Sequence, residues 1–299
     1  MRRAICSTWI SAVGVAVAIS VGVAGCGGTD KPGASSPPVD PDVAFKQYDE
    51  ASKPVDCSAA YGAMGDAHHE GDLVVMKDKA REYRDVVATW DSQLGKIAFP
   101  AAARQIVDKM RDLIANELAG LNELADGNGQ DADRTATVRS QVEADDALVV
   151  VEGDDLRAAL GHPVPQSMYA ADHLEWAERT FLKETSPVHA KWEAALAGDD
   201  LNGAKAANGI EEDALQRYID KLGTVSWPPG TFEAQANTLR EHLRGLIEFD
   251  RRQVDVATAA QIARTQEEGA PDYRSAEDAK EKLWTVLVRS GHSVDPPSC

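Results

Sequence analysis

The chain has 299 residues, of which 43% are hydrophobic and 27% are charged, and this length is enough for one large domain or two small ones. Its 49 acidic residues outnumber its 31 basic residues, for a net charge of −18. Nucleic acids and anionic lipid surfaces bind basic protein faces, so this acidic excess argues against nucleic acid as a partner and against direct adsorption to anionic lipid.

The first 25 residues have the pattern of a signal peptide. Arg2 and Arg3 precede an apolar segment, and that segment ends in Val23, Ala24, Gly25 and Cys26. These last four residues resemble the lipobox of bacterial lipoproteins, in which the cysteine becomes the lipid-modified N-terminus. The resemblance implies that residues 1–25 are removed and that Cys26 anchors the protein to the extracytoplasmic face of the cell membrane. Two acyl chains are enough for stable anchoring.

Two alternatives remain for this N-terminal segment. Residues 4–24 supply about 20 apolar-leaning residues, which is long enough for a retained transmembrane anchor. Arg2 and Arg3 are also typical of twin-arginine signals, although Ala4 and Ile5 do not continue that pattern, which favours Sec-type export. The composition, rich in Ala, Val, Asp and Arg, resembles that of actinobacterial secreted lipoproteins.

Residues 26–42 are predicted to form a flexible lipidated tether. After the cysteine they read GGTDKPGASSPPVDPD, which has no apolar periodicity and cannot bury enough surface to offset its ordering entropy. A coil of this length reaches about 22 Å on average.

Cys57 and Cys299 are the two cysteines left after the signal peptide and the lipid site are set aside. In an exported protein such a pair is predicted to form a disulfide. The bond would bring the beginning and the end of the folded region within about 7 Å at their Cα atoms, so that two units must fold back side by side.

A tandem repeat organises the rest of the chain. Residues 66–100 align with 194–228 at a constant offset of 128, with eight identities in 35 positions and apolar residues in matching register. We therefore predict two homologous units, at about 43–164 and about 168–299. Asn208 and Glu211 match Ala80 and Tyr83, which predicts a second unit that is looser or lined with polar groups at this level.

The apolar period is helical throughout the first unit. One stripe predicts a helix that begins after Gly71 and Asp72 and is closed off by Pro100. Its residues are Met76, Ala80, Tyr83, Val87, Trp90, Leu94 and Ile97. The next helix is predicted to stop at Asp126 and Gly127, and a fourth runs from about Arg134 to Leu160 with Val138, Val142, Leu148 and Leu156 inward.

The second unit repeats this plan, and Ser186 with Pro187 are predicted to start one of its helices. The predicted fold is therefore all-α, with two tandem homologous up-and-down bundles of about four helices each, packed side by side.

Histidines are the first residues to consider for metal or haem. His68 and His69 are adjacent, and adjacent side chains point about 100° apart on a helix. His162 and His292 each follow a glycine at matching positions, which is typical of a helix C-terminus, or of a ligand shared by both units. Asp66 with His69, and His189 with Glu193, each supply two ligands at most, and no HExxH or Glu-x-x-His motif occurs.

Acidic and aromatic residues have simple structural explanations. Residues 126–133 resemble a calcium loop only faintly, because they lack its glycine and its final glutamate. The doublets Asp145–Asp146 and Asp154–Asp155 are predicted to be solvated helix faces, with a cation between the units as the alternative. The aromatic residues are predicted to be bundle core, with an apolar pocket between helices as the alternative; these are Tyr83, Trp90, Phe99, Tyr218 and Trp227.

No nucleophile motif or phosphate-binding glycine loop occurs in the sequence. We therefore expect a non-catalytic envelope lipoprotein that needs no cofactor and binds an envelope protein or an apolar ligand. The alternatives are a metal or haem site built from His68, His69, His162 or His292, and a carrier with an apolar ligand in a bundle cavity.

Overall fold

The computed structural model of the chain describes residues 39–127, 132–254 and 273–287, together with positions 258 and 261. Within these ranges the regular structure is helical and no residue lies in a strand, which confirms the all-α prediction. The signal peptide, Cys26, most of the tether, His292 and Cys299 lie outside the described residues, and what was inferred about them stays a prediction.

Five helices form the first half of the described chain. They are α1 (Pro41–Asp56), α2 (Ala59–His69), α3 (Leu73–Leu94), α4 (Ala101–Asp126) and α5 (Ala132–Ala159). The first of them begins two residues before the predicted boundary at 43, because Asp40 accepts a hydrogen bond from the amide of Asp42 at 3.0 Å and Pro41 suits the first turn.

The break between α1 and α2 explains why this half has five helices where about four were expected. Pro54 lies in the last turn of α1, and Cys57 ends that helix by donating its amide to the carbonyl of Lys53 at 2.9 Å. Ser58 is then extended and precedes α2. The two short helices therefore occupy the place of one long helix.

The second half contains α6 (Gln166–Ala197), α7 (Leu201–Thr224), α8 (Thr231–Val254) and α9 (273–287). The predicted helix start at Ser186 and Pro187 is wrong, because both residues lie inside α6. Proline removes the backbone donor that would bond the carbonyl of Lys183, and the hydroxyl of Ser186 donates to the neighbouring carbonyl of Leu182 at 2.7 Å. Ala177 before the proline and Val188 after it are both buried, so α6 packs against the protein on both sides of Pro187.

Matching turns precede α3 and α7 at the offset of 128 residues. Asp72 and Asp200 cap these helices, accepting amide hydrogen bonds from Val75 at 3.0 Å and Gly203 at 2.9 Å. The residue before each cap is left-handed, with φ of +73° at Gly71 and +54° at Asp199. The predicted start of α3 is confirmed, and this local geometry supports the inferred duplication.

The buried apolar residues of the described chain form two large clusters and a small one. The first large cluster draws on residues between 44 and 160, and the second on residues between 170 and 287. The polar helix α5 packs against α4 on one side and against α6 on the other, so it joins the two halves. None of the described helices is both long and apolar enough to cross a membrane.

The prediction of solvated acidic doublets on α5 is wrong for three of the four residues. Asp145, Asp146 and Asp154 are each buried, and only Asp155 is partly exposed. Val138, Val142 and Leu156 are buried as predicted, whereas Leu148 is half-buried. The reason is the central position of α5, which has neighbours on several sides and no solvated face along most of its length.

Candidate binding cavity

A cavity of about 540 Å³ lies where the two halves meet. One side is formed by α1 and α2, which pack against α3, and the other side is formed by α5 and α6. Trp284 of α9 adds to the wall. This volume falls in the range of small-molecule sites, which cover roughly 300–1,000 Å³.

The break between α1 and α2 helps to form the cavity. Cys57 and Ser58, the two residues at the break, both line it. Two glycines leave room in its wall, Gly62 on α2 and Gly153 on α5. A Cβ atom at position 153 would lie 2.6 Å from the hydroxyl of Tyr48, so the small residue lets this tyrosine approach α5.

Most of the buried carboxylates on α5 have partners that offset the cost of burying a charge. Glu143 accepts hydrogen bonds from Arg139 and from Arg179 of α6, both at 2.7 Å. Asp146 accepts one from the hydroxyl of Tyr83 at 2.9 Å. The remaining pairs are Asp145 with Lys183 at 3.6 Å and Glu152 with Lys109. These ion pairs tie α5 to α4 and α6.

Asp154 differs from these residues because it faces a second acid. Its carboxyl hydrogen-bonds that of Asp172 on α6, and both residues line the cavity. Burial raises the pKa of Asp154 to about 6. Burial and the nearby charge of Asp154 raise the pKa of Asp172 well above its ordinary value. The pair therefore retains a proton at a pH where isolated carboxyls are ionised.

Within the described ranges, Arg157 is the one basic residue that lines the cavity. Its guanidinium lies 5.6 Å from the centre of the Tyr48 ring and 3.8 Å from the carboxylate of Asp49. Burial raises the pKa of Tyr48 to about 12, so its hydroxyl stays neutral. Asp56, also at the cavity wall, accepts a hydrogen bond from Ser52 at 3.1 Å.

Aromatic side chains form part of the wall. Tyr48, Trp90 and Trp284 line the cavity, and Trp90 is only 5% exposed. The prediction that the aromatic residues are core holds for Tyr83, Phe99 and Tyr218, which are buried, and Trp227 is partly buried against the second cluster. Trp90 fits both interpretations, because it is buried and lines the pocket.

Among the described residues, the candidate metal ligands are not brought together. His68 is partly buried, and burial lowers its pKa, while its neighbour His69 is exposed. His162 follows Gly161, whose φ is +85°, and its ring stacks on Phe45 with the centroids 4.0 Å apart. Within the described ranges, no group of three or more histidine, cysteine or acidic side chains has the arrangement of a metal site.

Two of the candidate histidines, His162 and His189, lie beside carboxylates. The Nε2 atom of His162 lies 2.9 Å from the carboxylate of Asp42, so this histidine links the end of α5 to the start of α1. His189 lies 3.2 Å from Glu193 on the exposed face of α6.

A second buried acidic cluster lies in the second half. The hydroxyl of Tyr273 is 3.3 Å from Glu211 and 3.5 Å from Asp250. Burial, reinforced by the charge of Glu211, raises the pKa of Asp250 to about 7. Asn208 is also buried beside Glu211 on α7, so the sequence prediction of polar groups at this level agrees with the structure.

Sequence reasoning missed Asp172 and Arg157 as site residues, and it gave Asp154 only as part of an acidic doublet whose alternative role was to hold a cation between the units. A usable signal was present in α5, where Asp146, Gly153, Asp154 and Arg157 share one helical stripe. Charges of both signs on a stripe that also contains a glycine indicate a close contact with another helix. Asp172 carried no comparable signal, because its partner lies on a different helix.

Comparison with protein-family models, with curated proteins and with solved structures finds no match for this chain.

Proposed function

We propose that this protein is a lipid-anchored cell-envelope protein that binds a small molecule in the cavity between its two halves, without catalysing a reaction. The cavity itself carries the proposal, because polar groups from α1, α2, α5 and α6 converge on one space of about 540 Å³ with an aromatic wall. Among the described residues no histidine lines the cavity, so Ser52 and Ser58 have no imidazole base beside them from this part of the chain.

The character of the lining separates this proposal from the other functions considered. Acidic groups face the cavity from several helices, which disfavours a purely apolar ligand because such a ligand would leave them desolvated and unpaired. A concave space of this volume also suits a small molecule better than a protein partner, which needs a broad surface.

The binding proposal is tested by native mass spectrometry of the mature protein released in detergent from its own membrane. Gly62 lines the cavity, and a Cβ atom there would meet no atom within 4 Å, so Gly62→Phe places a ring in open space. Gly65→Phe on the same helix is the matched control, since Gly65 has equal room and does not line the cavity.

We expect a small-molecule adduct on the wild type and on Gly65→Phe, and none on Gly62→Phe. An adduct that survives in Gly62→Phe would place the ligand elsewhere. Unliganded wild-type protein that also shows no thermal shift with any member of a metabolite panel would contradict the proposal, and so would turnover of the bound molecule.

The anchoring proposal rests on Cys26 and the lipobox-like residues before it. Cys26→Ser should move the protein from the membrane fraction to the soluble fraction, whereas Cys57→Ser should leave it with the membrane. Mass spectrometry should find acyl chains on the N-terminal cysteine. An intact leader without fatty acid would show a retained helix in place of a lipid anchor.

A further inference from the structure

The cavity lining has a strong charge asymmetry. Among the residues that the structure describes, six carboxyl groups line it against one guanidinium; the six are Asp56, Asp66, Asp146, Asp154, Asp172 and Glu175. Arg157 already lies close to Asp49 and to the ring of Tyr48. The local excess of negative charge is therefore large, and it attracts a positively charged molecule.

Asp154 is the lining carboxyl with an oxygen that no described donor reaches, although the nearby guanidinium of Arg157 attracts its charge. The side chain is 6% exposed, and its Oδ2 atom has no hydrogen-bond partner among the described residues. Asp145, Asp146 and Glu152 on the same helix each have a donor or a cation beside them. A buried carboxylate oxygen without a donor is costly, and a ligand that donates a hydrogen bond would satisfy it.

The rest of the lining indicates what kind of cation would fit. The cavity is far larger than a bare ion, and the described residues form no metal-type cluster of three or more ligands. Tyr48, Trp90 and Trp284 are among the lining residues, and aromatic side chains pack against apolar groups and attract organic ammonium groups.

Resting on the binding function proposed above, we propose that the ligand is a small organic cation, an ammonium group on an apolar body, and that Asp154 and Asp172 hold the ammonium. The ammonium donates hydrogen bonds to the two carboxyls, and the apolar body lies against the aromatic side chains.

Ionisation of Asp154 gives this binding a pH dependence. The ammonium binds to ionised Asp154, while Asp172, whose pKa is raised well above its ordinary value by burial and by the charge of Asp154, keeps its proton and accepts through its carbonyl oxygen. Because the pKa of Asp154 is about 6, affinity should rise as the pH increases through this value. The charged and titratable groups around the pair are Asp155 and Arg157 on α5, Tyr169 and Glu175 on α6, Tyr48 and Asp56 on α1, and Asp66 on α2.

The test is a tryptophan-fluorescence titration of the full mature protein with 2-phenylethylammonium and with its neutral counterpart 2-phenylethanol. We expect the ammonium to bind at least tenfold more tightly than the alcohol at pH 7.5, and to bind about tenfold more weakly at pH 5 than at pH 7. The alcohol should show no such pH dependence.

Two variants locate the charged group. Asp154→Asn should remove most of the preference for the ammonium, measured as the ratio of the affinities for the ammonium and the alcohol. Asp155→Asn, which changes the adjacent acid outside the cavity lining, should keep the preference. If Asp154→Asn folds poorly, Asp172→Asn tests the same carboxyl pair. The pH dependence is measured on the wild type and needs no variant.

Equal affinity for the two probes would overturn the cation proposal while leaving small-molecule binding in place. An ammonium preference that survives in Asp154→Asn and in Asp172→Asn would overturn the assignment to this pair. If neither probe binds, and tetramethylammonium and spermidine also fail to bind, the cation proposal is wrong; the native mass spectrum then decides separately whether the cavity binds anything.

Discussion

Asp154 shows how the position of one side chain on a helix decides its chemistry. Its neighbour Asp155 is partly exposed, whereas Asp154 is buried against Asp172 and its pKa is raised to about 6, chiefly by burial. A carboxyl whose pKa is higher in the folded than in the unfolded state makes the protein less stable as the pH rises. The same carboxyl that would bind a cation therefore destabilises the empty protein.

The substitution Asp154→Asn should raise the free energy of unfolding at neutral pH. The pKa rises from 3.8 in the unfolded chain to about 6 in the fold, so the wild type loses stability as the pH increases from about 4 through about 6. Asparagine does not ionise, and its amide can still donate to Asp172. We expect a gain of about 1–3 kcal/mol at pH 7.5 and almost none at pH 4, measured by urea unfolding. An equal gain at both pH values would show that ionisation is not the cause.

Each half contains a tyrosine–carboxylate pair. The position that holds the tyrosine in the first half holds the acid in the second. Tyr83 on α3 donates to Asp146 on α5. In the second half Glu211 of α7 stands at the position that the offset of 128 pairs with Tyr83, and it is approached by Tyr273 of α9. In both halves a tyrosine hydroxyl donates a hydrogen bond to a carboxylate, which offsets the cost of removing that carboxylate from water.

Among the helices, α5 departs most from an ordinary amphipathic pattern. Helices whose apolar stripe faces one core, such as α3 and α4, are predicted closely from sequence because the spacing of apolar residues defines the buried face. Helix α5 has neighbours on several sides, and its buried acids are compensated by residues far away in the chain. Single-helix periodicity does not contain that information, which is why these acids were predicted to be solvated.

Close approach of α4 and α5 depends on Gly120. A Cβ atom at this position would lie 2.5 Å from the Cγ2 atom of Val142, whose side chain is fully buried. Gly120→Ala should therefore force the helices apart and lower the free energy of unfolding by about 1–3 kcal/mol.

The matched control is Gly245→Ala in α8, where an added Cβ meets nothing within 4 Å. This change should stabilise the protein by about 0.5–1 kcal/mol through helix propensity alone. Chemical denaturation of both variants checks the pair, and a similar effect of the two alanines would show that the contact with Val142 does not limit packing.

Helix α6 is continuous through Pro187, although proline is unfavourable in a helix interior. Pro187→Ala restores an amide donor facing the carbonyl of Lys183. We expect the variant to unfold at a higher temperature, with a gain of up to about 3 kcal/mol, as measured by calorimetry. A lower unfolding temperature would indicate that α6 needs the proline at this point.

At the scale of the whole molecule, the sequence allowed the helical class and most helix boundaries of the first half to be predicted. Those features follow from local spacing and from capping residues such as Asp72 and Gly71. The cavity was not predicted, because it arises between α1–α2 and α5–α6, which are far apart in sequence. A pocket of this kind depends on how helices meet, and helix–helix contact is not encoded in the period of either helix.

The predicted disulfide would link Cys57, at the end of α1, to Cys299, far away in the sequence. Cys57 lines the cavity, so the bond would also fix one edge of the site. Peptide mapping under non-reducing conditions should find the two cysteines linked, and reduction should lower stability by up to about 5 kcal/mol. Free thiols at both positions would contradict the prediction.

A crystal structure of the protein with 2-phenylethylammonium would show whether the space between the two halves binds a positively charged small molecule. We predict the ammonium nitrogen within about 3.2 Å of a carboxylate oxygen of Asp154 or Asp172, with the ring against Trp90 or Trp284. A structure in which the ligand lies outside this space, or in which α1 and α2 close onto α5 and leave no room for it, would contradict the claim.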